Sequence, residues 1–223
     1  FTFTMNHSGK LTQLVEQHRS KNRINYTVKA DSFKLSFWYK NLFSGFHPEN
    51  LSDFIGFDTK FGFILHGINN QGIPVGWCIG INFIDRYSKD FYKNVNLDPT
   101  KFNKHDLIIQ QIQGATGENN CIRKATSEGS KDFRWPHLLI SVASKWANQT
   151  GVPRLLLQPA ENNMYIVYST EDTVALENKL IRMKKLYDNA GFECGFRRKT
   201  KNDAYSLDLT RLKPESVLKF LKG

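Results

Sequence analysis

Cysteine is scarce: Cys78, Cys121 and Cys194 are the only three, they lie far apart, and no two form a CxxC pair. That spacing excludes a dense disulfide framework, and with no Cys/His grouping suited to zinc no metal site is expected. A low, odd count fits cytoplasm or another reducing compartment. No apolar run approaches the length needed to cross a bilayer, so no membrane partner is expected. There is no G-x-S-x-G, which argues against a serine hydrolase of that type. A phosphate-binding P-loop and a dinucleotide-binding glycine motif are also missing. We find no internal repeat and no long low-complexity segment. No signal peptide is visible, although Phe1 is not an initiator methionine and leaves room for a targeting segment upstream.

What the chain does have is aromatic bulk and positive charge. It carries 17 Phe, 8 Tyr and 4 Trp in 223 residues, enough to fill a sizeable core. The net charge of +10 points to an anionic partner such as nucleic acid, an acidic membrane or a phosphorylated cofactor. A merely solvated lysine-rich surface is the plainer alternative.

The apolar pattern alternates between two periods. "KLTQLVEQHRS" (10–20) places Leu11, Leu14, Val15 and His18 on one helical face. "FKLSFWYK" (33–40) reads as a strand, and 41–58 as an irregular or short-helical connection. "FGFILHGI" (61–68), "NNQG" and "IPVGWCIGINFI" (73–84) predict a hairpin, with Gly76 and Gly80 marking a bulge or a close approach. "DLIIQQIQG" (106–114) predicts another strand, followed by a polar, basic loop. "WPHLLISVASKWANQTG" predicts a helix near 136–150 that starts at Pro136 and stops at Gly151. A buried strand follows at 152–160, then a loop with a short strand at 164–172. A helix over 170–191 is expected to be capped by Ser169 or Thr170 and stopped by Asn189 and Gly191. A second hairpin is expected around "KND" (201–203). The outcome is an α/β fold: a mixed, largely antiparallel central sheet flanked by helices. Residues 1–32 read as a helical or extended segment of the same domain as 33–223.

The order of these elements resembles the GNAT superfamily of acetyl-coenzyme A dependent N-acyltransferases. The likeness is carried by "LLLQPAENN", "MKKLYDNAGF" and "ECGFRRK", where a tyrosine-bearing helix runs into a Y-x-x-x-G-F pattern before a strand. Val75-Gly76, opening the returning strand of the hairpin, adds to it. The resemblance spans roughly residues 33–210. It implies transfer of an acetyl or other acyl group from coenzyme A to an amine, borne by a small molecule or a protein. It also implies that Gly191 gives a left-handed helix exit, that Phe192 plugs the core, and that Tyr187 faces the departing thiol. One element departs from the pattern: the paired glycines expected before Leu138 are replaced by "SKDFRWPH". An atypical pyrophosphate site, or an altered or lost pocket, is the consequence.

On this resemblance Tyr187 is the candidate general acid, against the simpler role of a tyrosine packing its ring into the core. Gln111, Ile112 and Gln113 are placed where strand backbone holds the pantetheine arm. Asn162 and Asn163 are candidates for cofactor binding or for a turn, and Lys131 and Arg134, with Arg123 and Lys124, for charge compensation of the pyrophosphate. The base that takes the amine proton is open among His66, Asp85, His105 and Glu118, with Glu118 and His105 carried forward. Cys121 has no neighbour that marks it as an activated nucleophile. Two other readings stand beside catalysis. One is a non-catalytic GNAT-like scaffold. The other is a basic nucleic-acid-binding module, suggested by "RMKKLYDNAGFECGFRRKTK", where Lys and Arg alternate with Tyr and Phe.

Overall fold

The computed structural model describes residues 33–39, 59, 61–68, 72–83, 97–103, 105–114, 124, 127 and 134–210. The expected helix at 10–20, the connection 41–58 and most of the "NNQG" turn lie outside the described residues, as do Asp85, Glu118, Cys121, Arg123 and Lys131.

Six strands form one mixed sheet in chain order: β1 (Phe33–Tyr39), β2 (Phe61–Ile68), β3 (Pro74–Phe83), β4 (Leu107–Gly114), β5 (Arg154–Leu157) and β6 (Tyr205–Asp208). All neighbours are antiparallel except β4 and β5, which run parallel and are joined by helix α1 (Trp135–Gln149). The parallel pair needs a crossover, and α1 supplies it.

Alternation along the strands builds the core. Phe61, Phe63 and Leu65 of β2, Val75, Trp77, Ile79 and Ile81 of β3, and Leu155 and Leu157 of β5 point to one face. Leu139, Ala143 and Ala147 of α1, four residues apart, cover that face together with Leu138. Trp135 stacks on Trp77 with ring centroids 6.3 Å apart, and Trp146 meets Phe61 at 5.4 Å. On the opposite face Ile108 and Leu156 pack with Leu97, Phe102 and Ala204.

The C-terminal helical region corrects the sequence reading in several places. Residues 164–167 are a short helix, α2 (Met164–Val167), and not a strand. Helix α3 (Thr173–Lys184) is capped by Asp172, whose carboxylate accepts from the Ala175 N–H at 2.9 Å, so neither Ser169 nor Thr170 is the cap. Gly191 does not end the helix. The chain passes from α3 through one wide π-turn, Lys185–Asn189, into α4 (Ala190–Glu193), and the left-handed exit is made by Gly195 at φ 95°. Gly191 serves another end: a Cβ there would fall 2.2 Å from Leu157 Cδ2, so its missing side chain lets the helix lie against β5. Phe192 does not plug the core either. It is 57% exposed under the Arg197 guanidinium, and Phe196, fully buried, fills that place. The second hairpin is reduced to a single antiparallel bridge from Arg197 to Ser206 of β6.

Candidate functional site

Strand β4 contains one residue too many for its partner. Gly80 pairs with Gln111 and Ile81 with Ile109, which leaves Gln110 as a bulge. The sequence requires it. Ile109 and Ile112 both face α1, although strict alternation would put residues three apart on opposite faces. The displaced Gln110 side chain accepts a hydrogen bond from Asn82 Nδ2.

The bulge coincides with the point where the parallel strands part. β4 and β5 stay in register from Leu107 opposite Leu155 to Ile109 opposite Leu157. Their last main-chain contact is Gln158 N–H to the Ile109 carbonyl at 3.0 Å. Beyond it β5 turns away at Pro159 into a short 3₁₀ turn, Ala160–Asn162, while β4 continues to Gly114.

Tyr187 fills the gap. Its hydroxyl accepts from the Ile112 N–H at 2.8 Å and from Asn163 Nδ2 at 3.1 Å, and donates to the Gln110 carbonyl at 3.2 Å. A phenol has one proton and two lone pairs, so its capacity is used in full. The residue is buried, and burial raises the phenol pKa well above the ordinary range. The π-turn is what brings it there: Tyr187 is the one buried residue of that turn. Its neighbour Asp188 accepts from the Ala160 N–H at 3.0 Å and fixes the turn to the end of β5, and burial raises the Asp188 pKa.

The structure thus brings together Tyr187, Ile112 and Asn163 from the residues singled out in the sequence. Asn163 also accepts from the Tyr165 N–H at 3.0 Å, which starts α2. Asn162 is buried, and its carbonyl accepts from Gln158 Nε2, the part of a turn-forming residue. Gln111 and Gln113 bond to each other through Nε2 and Oε1 at 2.7 Å. Gln111 lies beside Gly80, where a Cβ would come within 2.1 Å of Thr59 Oγ1, the close approach expected there. His66 is buried within β2, and Lys124 is exposed. His105 is exposed in a turn two residues ahead of β4, at the end of the strand opposite to the gap.

Arg134 precedes α1 and pairs with Glu193 Oε2, to which His137 Nε2 also lies within 3.0 Å. Burial, with the charge of Arg134, lowers the His137 pKa. Pro136 removes one main-chain N–H from the first turn of α1, so this end offers fewer anion-binding donors than a glycine-rich turn would. Cys194 sits behind the same helix, its thiol donating to the His137 carbonyl at 3.7 Å.

Gln110, Gln158 and Asp188 belong to the site without having been singled out. The three-residue spacing of Ile109 and Ile112 within an otherwise alternating strand was the signal for Gln110. No local pattern marks the other two.

No helix among the described residues is long and apolar enough to cross a membrane, and these residues hold no His/Cys/Asp/Glu group suited to a metal ion. The chain matches no family model, and neither curated proteins nor solved structures give a significant match to it.

Proposed function

We propose that the protein is an N-acyltransferase of the GNAT type, moving an acetyl or other acyl group from coenzyme A to an amine. One observation carries the reading: the parallel strands β4 and β5 part at the Gln110 bulge, with the phenol of Tyr187 set in the opening. Parting strands leave main-chain groups of β4 without a strand partner, and an extended amide chain such as the pantetheine arm is the ligand class that completes such an edge. The acyl–pantetheine half of the cofactor fits this arrangement. The pyrophosphate half has less to hold it, since the glycine pair is missing and Arg134 is engaged by Glu193.

In this reading the Ile112 N–H polarises the thioester carbonyl. The amine nitrogen bonds to that carbon, the C–S bond breaks with its electron pair on sulfur, and the Tyr187 phenol gives the sulfur a proton. Burial raises the phenol pKa, so the hydroxyl carries its proton at neutral pH but is a weaker acid than a free tyrosine, and its support for the departing sulfur is mainly a hydrogen bond that becomes a proton transfer as the C–S bond breaks. The amine sheds its proton to solvent water, which returns one to the Tyr187 phenolate and closes the balance, since among the described candidates His105 lies at the far end of β4.

The non-catalytic scaffold is the second reading, and the engagement of Arg134 by Glu193 favours it. Thermal unfolding with and without acetyl-coenzyme A separates the two. At a hundredfold excess over the dissociation constant the ligand adds about 2.7 kcal/mol. That corresponds to a rise in Tm of roughly 5–10 °C for a chain of this size. Release of free thiol with a panel of amines then reports transfer, and Tyr187→Phe should lower kcat by about 10- to 10⁴-fold. No thermal shift and no thiol release would sink the acyltransferase reading. A shift without release, over a broad amine panel, would favour the scaffold.

A further inference from the structure

We propose that Tyr187 is a displaceable stand-in for the missing strand partner of β4, so that ligand entry requires its hydroxyl to leave. The proposal rests on the acyl-coenzyme A reading and states how access to that site is controlled. The phenol takes the hydrogen bond of the Ile112 N–H and gives one to the Gln110 carbonyl. These are the main-chain donor and acceptor that an extended amide-bearing ligand would use on this edge. Ligand and tyrosine therefore compete for the same two groups.

The way Tyr187 is mounted supports a reversible exchange. Helix α4 is fixed, since Gly191 lies against Leu157 and Ala190 is fully buried. Helix α3 contributes no fully buried residue, and Val174 and Ile181 on it are more than half exposed. The π-turn joins the firmly held helix to the thinly held one, and Tyr187 is at its centre. A wide turn that tightens to an α-turn draws its side chains out of register with β4, and segments with little buried surface open at low cost. Asn163, bonded to both the phenol and the Gln110 carbonyl, remains to receive the hydroxyl on the way out.

Competition has a signature that an ordinary ligand contact lacks. A protein whose binding-competent form is a fraction of the whole binds more weakly by that fraction. Removing the hydroxyl should therefore strengthen binding. Titration calorimetry with coenzyme A on the parent and on Tyr187→Phe tests this, and the variant should bind about 3- to 10-fold more tightly, the worth of one net hydrogen bond. Hydrogen exchange of the Ile112 amide without ligand should be slow in the parent and several-fold faster in the variant. A measurement on the parent alone guards against a variant that fails to fold: saturating coenzyme A should shift the Tyr187 ring carbon resonances. Equal or weaker binding by the folded variant, or a ring signal that stays put at saturation, overturns the proposal alone. If neither protein binds coenzyme A, the acyl-coenzyme A reading falls and takes this proposal with it.

Discussion

The Tyr187 hydroxyl lies 2.8 Å from the main-chain nitrogen of Ile112, joining two residues 75 positions apart in the chain. This one contact ties the π-turn to the central strand where that strand loses its neighbour. It also sets what Tyr187→Phe should do to stability. A near-isosteric change that keeps the ring would be almost neutral if the ring alone were buried. Here it strips the partner from a buried N–H. The variant should lose about 1–3 kcal/mol, read from urea unfolding at neutral pH. A loss below about 0.5 kcal/mol would mean that water replaces the hydroxyl.

Gly191→Ala isolates the close packing of helix on strand. On helix propensity alone alanine should stabilise by about 1 kcal/mol. The added methyl, however, meets Leu157 Cδ2 at 2.2 Å, and Leu157 is fully buried between β4 and β6. Overpacking should win, with a net loss of about 1–3 kcal/mol. A stabilised Gly191→Ala would show that Leu157 can change rotamer freely.

The sheet was legible in the sequence because its strands alternate or run as continuous apolar blocks, and the turns between them carry their own chemistry. Residues 61–68 and 107–114 follow directly from such patterns. The end of the last helix was not legible. Gly191 and Gly195 are both plausible stops by local chemistry, and the difference is made by Leu157, 34 positions earlier, which needs a residue without a side chain opposite it. The same contact carries α4 past Gly191 and leaves Phe196, not Phe192, to enter the core. The site followed the same rule. Tyr187 and Asn163 are reached through the resemblance of the segments that carry them, not through any local pattern of their own. Gln110 emerges only when the phase of two isoleucines is compared across a bulge, and Asp188 only when Ala160 is seen beside it.

At the other end of β4 the buried Asp106 carboxylate is paired with Arg154, which also donates to the Lys101 carbonyl at 2.8 Å. The Asn103 N–H donates to the same carboxylate at 2.6 Å. This end clamps the parallel strands together, opposite to the end where they part. Arg154→Met removes the cation and leaves a buried anion, so it should cost about 3 kcal/mol, the lower part of the range because Arg154 is partly exposed. Coenzyme A affinity, measured on the folded variant, should be unchanged if the two ends of β4 act independently.

Alkaline pH should weaken the fold before it reaches the pKa of the buried thiol. Burial pushes the Cys194 thiol from its ordinary value near 9 up to about 12, with Glu193 adding to the shift and Ser141 and Arg134 opposing it. Folded protein therefore keeps a proton that the unfolded chain releases. Below pH 9 both states hold the proton and the group has no effect on the balance. Between pH 9 and pH 12 the unfolded state is favoured increasingly, by up to about 1.4 kcal/mol per pH unit. The Tyr187 phenol, raised by burial, acts in the same direction above pH 10. Urea unfolding at pH 8, 9, 10 and 10.5 should show stability falling with pH, and Cys194→Ala should fall less steeply than the parent. The thiol should also resist a water-soluble disulfide reagent at pH 8 until the protein unfolds. Identical pH slopes for parent and Cys194→Ala, or rapid labelling of Cys194 in the native state, would place the thiol in water rather than against the His137 carbonyl.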